Sequence, residues 1–252
     1  AIAYNYDAPD LYDPRVNVLQ IQGVDNKPLA TLVNYAIHPE VLGSDQGICS
    51  PDLIGPLYDR LAALGGGMGI FLNSAQGGMV TADTRRPQGG EANDWAECQR
   101  IGELLAEEAL RVLANAPLQQ DPALHVAAET VLFPVESGPL LAVLRGSPLG
   151  YSTDAEGRVS TTVNLVNVGT AQFLTIPGEA LPNIGFYLKR KMRGQQNFLL
   201  GLTNDAFGYI LTAVDWDSFK RYEYITRTCL GERTGEILIT EALRLIAEQP
   251  AP

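Results

Sequence analysis

Apolar and polar positions fall into blocks along this chain, some with the two-residue period of strands and some with the 3.6-residue period of helices. Val16 to Gln22 and Leu29 to Ile37 are apolar-rich runs on either side of Asp25-Asn26-Lys27-Pro28, a turn signal, and they predict a β-hairpin. The second run stops at His38-Pro39, because proline cannot donate to a sheet ladder. Asp52 to Leu64 predicts a short helix with Leu53, Leu57 and Leu61 on one face; Ser50-Pro51-Asp52 is its cap signal and Gly65-Gly66-Gly67 its end. Ile70 to Asn73 predicts a short strand, and the polar, glycine-bearing run Ser74 to Gly90 a long loop of the kind that usually carries function. Asp94-x-x-Glu97 has the form of a capping box and opens a helix whose apolar stripe is Cys98, Ile101, Leu105, Ala109 and Val112.

In the second half, Leu124 to Phe133 predicts a strand, with His125 on the face opposite Leu124, Val126 and Leu132 and therefore a structural or surface residue. Residues 137–160, with Gly138-Pro139 and Ser147-Pro148-Leu149-Gly150, predict a loop, a segment placed to cover a site. Val163 to Val168 and Ala171 to Ile176 predict a second hairpin about Gly169-Thr170. Pro177-Gly178-Glu179 follows, then a helical stripe of Leu181, Ile184, Leu188 and Met192. Asn197 to Leu202 predicts another buried strand, Thr203 to Tyr209 a polar-aromatic loop, and Thr234 to Gln249 the closing helix. Strands that alternate with helices predict an α/β fold, a mixed sheet with helices on both faces. No repeat, low-complexity tract or linker divides the chain, so residues 1–252 are expected to form a single catalytic-type domain.

Composition narrows the function classes. The net charge of −11 argues against sequence-independent nucleic-acid binding, which needs a basic footprint, and against docking on anionic membranes. No apolar run approaches the length of a membrane span. The chain begins at Ala1 with no signal peptide, and something upstream is expected to have been removed. The three cysteines, Cys49, Cys98 and Cys229, are too few and too far apart for a disulfide framework or a cysteine-rich zinc site, although they leave room for one disulfide. His38 and His125 are the only histidines, which excludes a histidine-rich metal site built from this chain.

The candidate chemistry lies where strands end. His38 closes one apolar run, Glu179 sits between a strand and a helix N-terminus, and Tyr209 closes the loop after another strand. Open α/β sheets place ligands at the carboxyl ends of their strands, so the three are suited to one cluster. An imidazole nitrogen, a carboxylate oxygen and a phenolate oxygen are all acceptable zinc donors. The plainer readings are a core histidine satisfying a backbone carbonyl and a glutamate stabilising a helix dipole. No short metal motif such as His-Glu-x-x-His decides between them.

Taken together and in order, several segments resemble the neutral or alkaline non-lysosomal ceramidases: AYNYDAPDLYDPRVNVLQI, LVNYAIHPEVL, SPDLIGPL, QGGMVTAD, TIPGEALPNIG and GLTNDAFGYILTAVDWDSFKRYE. The resemblance implies a zinc-dependent amide hydrolase that cleaves the N-acyl bond of ceramide-like lipids. In that family zinc is held by two histidines, a glutamate and a tyrosine; His38 stands at the second histidine, Glu179 at the glutamate and Tyr209 at the tyrosine. Tyr222 matches a tyrosine that helps stabilise the oxyanion. The resemblance further implies secretion or a periplasmic location.

The departures from the family are specific. Its first zinc histidine, a proposed acid–base histidine and an arginine lie upstream of everything in this chain, so an upstream segment is expected to supply the remaining zinc ligand. The family's carboxy-terminal β-sandwich domain has no counterpart after Pro252. Its Gly-Asp-Val-Ser-Pro-Asn signature, whose serine was proposed as nucleophile, reads Gly78-Met79-Val80-Thr81-Ala82-Asp83 here. Thr81 replaces that serine, and a threonine acts as nucleophile only with a base beside it. Two other readings therefore stand beside the ceramidase-type hydrolase: a zinc hydrolase of another substrate, and a non-catalytic relative that binds a lipid or glycan.

Overall fold

The computed structural model describes residues 11–45, 47–78, 80–83, 86–87, 89–90, 92–218 and 223–252. The protein is α/β, as its hydrophobic pattern predicts, and among the described residues its strands are divided among three separate ladders. The chain forms two compact units, Ala1–Asn73 with Met79–Leu118 and Ser74–Gly78 with Gln119–Pro252.

The first unit is built on a hairpin and a crossover. β1 (Asn17–Gln22) and β2 (Pro28–Tyr35) pair antiparallel. Asn26, in the left-handed region at φ 60°, closes their turn by donating its N–H to Gly23 O at 2.9 Å. From β2 the chain crosses through α1 (Ile54–Ala63) to β3 (Met68–Asn73), which lies parallel to β2. α2 (Trp95–Leu113) completes the unit; Asp94 caps it by accepting from Glu97 N at 2.9 Å, as the capping-box spacing predicts. Leu53, Leu57 and Leu61 from α1 and its approach meet Cys98, Leu105 and Ala109 of α2 around Val33 and Ile37. Asp52 does not cap α1, whose N-cap is Leu53. Its buried carboxylate instead accepts from Leu42 N at 2.8 Å and Leu53 N at 2.7 Å, which pins the loop that follows His38.

Burial and the nearby Asp52 carboxylate push the Cys98 thiol up to about 11, and the side chain is fully buried. All three cysteines are free, and Cys49 alone is exposed. A bulky thiol reagent is therefore expected to label Cys49 in the native protein within minutes and to reach Cys98 and Cys229 only after denaturation, because the thiolate is the reacting species. Mass spectrometry of the labelled protein checks this; rapid native labelling of Cys98 contradicts it.

The second unit repeats the same hairpin-plus-crossover plan. β4 (Leu124–Pro134) pairs antiparallel with β5 (Arg158–Val168), and β5 with β6 (Ala171–Thr175). After β6 come a two-residue strand β7 (Glu179–Ala180) and helix α4 (Pro182–Lys191), and then β8 (Gln196–Leu200), parallel to β6. Strand β9 (Tyr209–Ile210) pairs with β7. Helices α5 (Glu223–Arg227) and α6 (Thr234–Glu248) close the unit. Val163, Leu165, Leu174, Ile176, Ile184 and Leu199 are at the centre of its core.

One expectation needs correction, and one strand is buried against its own apolar pattern. Residues 137–160 are not a loop: they contain helix α3 (Gly138–Gly146) and the start of β5. Ser137 caps α3 by accepting from Leu140 N at 3.3 Å, and Pro139 stands in its first turn, where a missing N–H costs nothing. Gly138-Pro139 is thus a helix start and not a turn, and Leu144 anchors the helix in the core. In β4, the inward face is the one that carries His125, Val131 and Phe133; Leu124 and Val126 are exposed. Register decides this, since Phe133 pairs with buried Val159 and His125 with buried Asn167. His125 Nε2 lies 3.1 Å from Gln249 Oε1, which bears out its structural reading.

Candidate active site

In the second unit the structure brings Glu179 and Tyr209 together. They are direct partners in the parallel β7–β9 ladder, and paired residues project on the same side with Cβ atoms about 5 Å apart. The carboxylate and the phenol therefore share one face. Backbone hydrogen bonds fix this pairing: Glu179 N donates to Gly208 O at 2.9 Å and Leu181 N to Ile210 O at 3.0 Å. The turn before Glu179 is tied to the loop before Tyr209, with Leu202 N donating to Gly178 O at 3.0 Å and Phe207 N to Pro177 O at 3.0 Å.

Tyr209 is also held from its other side. Its N–H donates to Thr228 O at 3.1 Å, and it forms an isolated parallel bridge with Cys229. Its ring meets Tyr224 edge to face at 5.7 Å and 86°. The residue before it must be glycine. Gly208 has φ +77°, and a Cβ there would lie 1.9 Å from Thr228 O.

The loop into Tyr209 is anchored on β5 by two side chains that the sequence did not single out. Asn204, at φ 74°, donates through Nδ2 to Thr162 O at 2.6 Å and to Asn164 Oδ1 at 2.7 Å. Asp205 accepts from the Tyr151 hydroxyl at 2.6 Å and from Thr161 Oγ1. The bond to Asp205 pushes the Tyr151 phenol up to about 12. Asn204 and Asp205 border a polar depression of about 510 Å³ with Thr130, Ser160, Thr162 and Asn164. The local signal that could have marked them is Asn-Asp in a strand-to-strand loop, a pair suited to left-handed and turn conformations.

In the first unit the structure brings His38 and Thr81 together. They form an isolated parallel bridge, and Val80 O accepts from His38 N at 2.8 Å. The same carbonyl lies 2.8 Å from His38 Nδ1. A carbonyl oxygen can only accept, so Nδ1 carries a proton, and in the neutral ring the lone pair is on Nε2. This satisfies the plainer reading of His38 and also sets the tautomer that metal-ligating histidines use, in which one ring N–H is anchored and the other nitrogen donates its lone pair. Thr81 stands beside His38, but the ring's Nδ1–H is turned to Val80 O. Tyr222 lies outside the described residues. Among the described residues no group of three or more His, Cys, Asp or Glu is placed to hold a metal.

A search of solved structures gives high similarity over nearly the whole chain. The crystal structure of neutral ceramidase from Pseudomonas aeruginosa superposes with a TM-score of 0.74, at 14% identity, over 97% of this chain and 48% of that one. The chain has the fold of that ceramidase. A structure of a ceramidase complexed with C2 matches with a TM-score of 0.71, at 13% identity, over 97% of this chain and 50% of that one. The chain thus spans about half the length of the solved ceramidases it matches. No protein-family profile and no curated protein matches it.

Proposed function

We propose that this chain carries the larger part of the catalytic domain of a zinc-dependent amide hydrolase of the ceramidase type, which cleaves the N-acyl bond of ceramide-like lipids. The observation that carries the reading is the direct pairing of Glu179 with Tyr209 on a fold shared with ceramidases. The donor chemistry fits zinc: a histidine with Nδ1 anchored, a carboxylate and a phenol are one nitrogen and two oxygen donors. His38, Glu179 and Tyr209 would hold the ion, and a segment upstream of this chain would supply the remaining histidine.

Zinc in such a site supplies Lewis acidity, which polarises an amide carbonyl and lowers the pKa of a bound water towards about 7. The chain's own residues do the rest. The Val80 carbonyl keeps His38 in one tautomer and one ring orientation. The β7–β9 ladder keeps the Glu179 carboxylate and the Tyr209 phenol in fixed register. Tyr222 is assigned by resemblance to hydrogen-bond the developing oxyanion, a role that a phenol within reach can fill. A lipid amide needs an apolar groove more than a charged one, which a protein of net charge −11 can provide. The resemblance also suggests that the protein works outside the cytoplasm.

In this mechanism water is the nucleophile and Thr81 is not. Thr81→Ala in the full-length protein is expected to keep amide hydrolysis within about tenfold of the parent, whereas loss of a true nucleophile costs on the order of 10⁶. The measurement is kcat/KM on an N-acyl lipid at saturating zinc. A Thr81→Ala protein that binds zinc normally and is inactive makes threonine the nucleophile. A parent that binds no zinc and hydrolyses no N-acyl lipid defeats the proposed function.

A further inference from the structure

The segment Ser74–Gly78 belongs to the second unit and runs directly against β7. Its seating is tight at three of its five residues. A Cβ on Gly201 would lie 2.4 Å from Ser74 O, one on Gly185 would lie 2.4 Å from the Ala75 Cβ, and one on Gly77 would lie 2.3 Å from Glu179 O. The segment is therefore locked in place beside the carboxylate residue.

Two of its side chains are buried without use. Ser74 and Gln76 are each 2% exposed, and among the described residues neither Ser74 Oγ nor Gln76 Oε1 has a hydrogen-bond partner. A buried acceptor with no donor loses its water and gains nothing in return, so native proteins keep few of them. Here two fall within three residues of each other, on a segment held by backbone contacts whose Gly77 packs against the Glu179 carbonyl. Such local inconsistencies concentrate at functional sites.

We infer that Gln76 is a substrate-binding residue: its Oε1 accepts a hydrogen bond from the N–H of the substrate's amide, with Ser74 Oγ a second polar anchor beside it. The inference rests on the hydrolase reading, which places an amide next to Glu179. It gives the protein a means of preferring amides to esters, because the matching ester has no N–H and leaves Oε1 unpaired.

The test is binding of an N-acyl amino alcohol and of its O-acyl ester isostere, measured by calorimetry on metal-stripped full-length protein so that hydrolysis does not intervene. The parent is expected to bind the amide roughly tenfold to a hundredfold more tightly than the ester. Gln76→Met, of similar length but without the acceptor, is expected to bring the ratio near one and to leave ester binding unchanged. Gln76→Glu keeps an acceptor oxygen and is expected to retain the preference; it serves as the deciding variant if Gln76→Met does not fold. Equal binding of amide and ester by the parent overturns the inference, as does an unchanged ratio in Gln76→Met, the result expected if a buried water alone satisfies Oε1. A Gln76-dependent amide preference in a parent that never hydrolyses the amide upholds the inference and defeats the hydrolase reading. Failure to bind either compound overturns the inference.

Discussion

Glu179→Ala is expected to abolish zinc binding and amide hydrolysis together, with kcat/KM falling by at least about a thousandfold. A thousandfold corresponds to about 4 kcal/mol of lost transition-state stabilisation, and Lewis-acid stabilisation by a bound metal contributes several kcal/mol. The fold should survive, because Glu179 is only half-buried and its place in the sheet is held by backbone bonds that alanine keeps, Glu179 N to Gly208 O among them. Zinc content by elemental analysis, a thermal melt and the hydrolysis rate make up the test. A Glu179→Ala protein that retains stoichiometric zinc and activity would show that the Glu179–Tyr209 pair is structural only. Comparison with Gln76→Met separates the two roles: the first variant should lose metal, the second only the preference for amide.

Gly208→Ala is expected to cost about 2–5 kcal/mol of stability, the sum of a left-handed backbone penalty and an overpacking penalty. At φ +77° an L side chain is already strained, and the new Cβ would overlap Thr228 O at 1.9 Å. That oxygen also accepts the Tyr209 N–H, so relieving the overlap moves Tyr209 away from its partners in β7. Gly150→Ala is the control, since Gly150 has φ +72° with nothing within 4 Å of the added atom. It should cost only the backbone term, roughly 1–2 kcal/mol. Urea denaturation of both variants gives the comparison. Equal losses would mean that the chain around Thr228 gives way freely and that Tyr209 is not held by it.

The local sequence determined most of the elements. Apolar-rich runs bounded by turn residues became β1, β2, β5 and β6, and the leucines of α1 and the stripe of α2 went inward as their spacing requires. Proline after His38 and the turn at Pro177-Gly178 marked where strands end, and so marked His38 and Glu179 as strand-end residues. These signals are legible because they act within a few residues: a proline's missing donor, a capping carboxylate or a helical stripe has its physical effect on its own turn of chain.

Three things were decided only by tertiary structure. The burial of β4 was set by its register on β5, which reversed the faces that its own apolar residues suggest. Gly138-Pro139 begins a helix because Ser137 finds Leu140 N and Leu144 finds a core to fill. Most of the candidate site is of this kind. Glu179 meets Tyr209 through a ladder between segments distant in sequence, and the His38 tautomer is chosen by a carbonyl from a remote loop. Gln76 is orphaned because three glycines let its segment sink between β7, α4 and the end of β8. Each depends on which backbone approaches which, and that is fixed by long-range pairing of whole elements and not by the residues on either side.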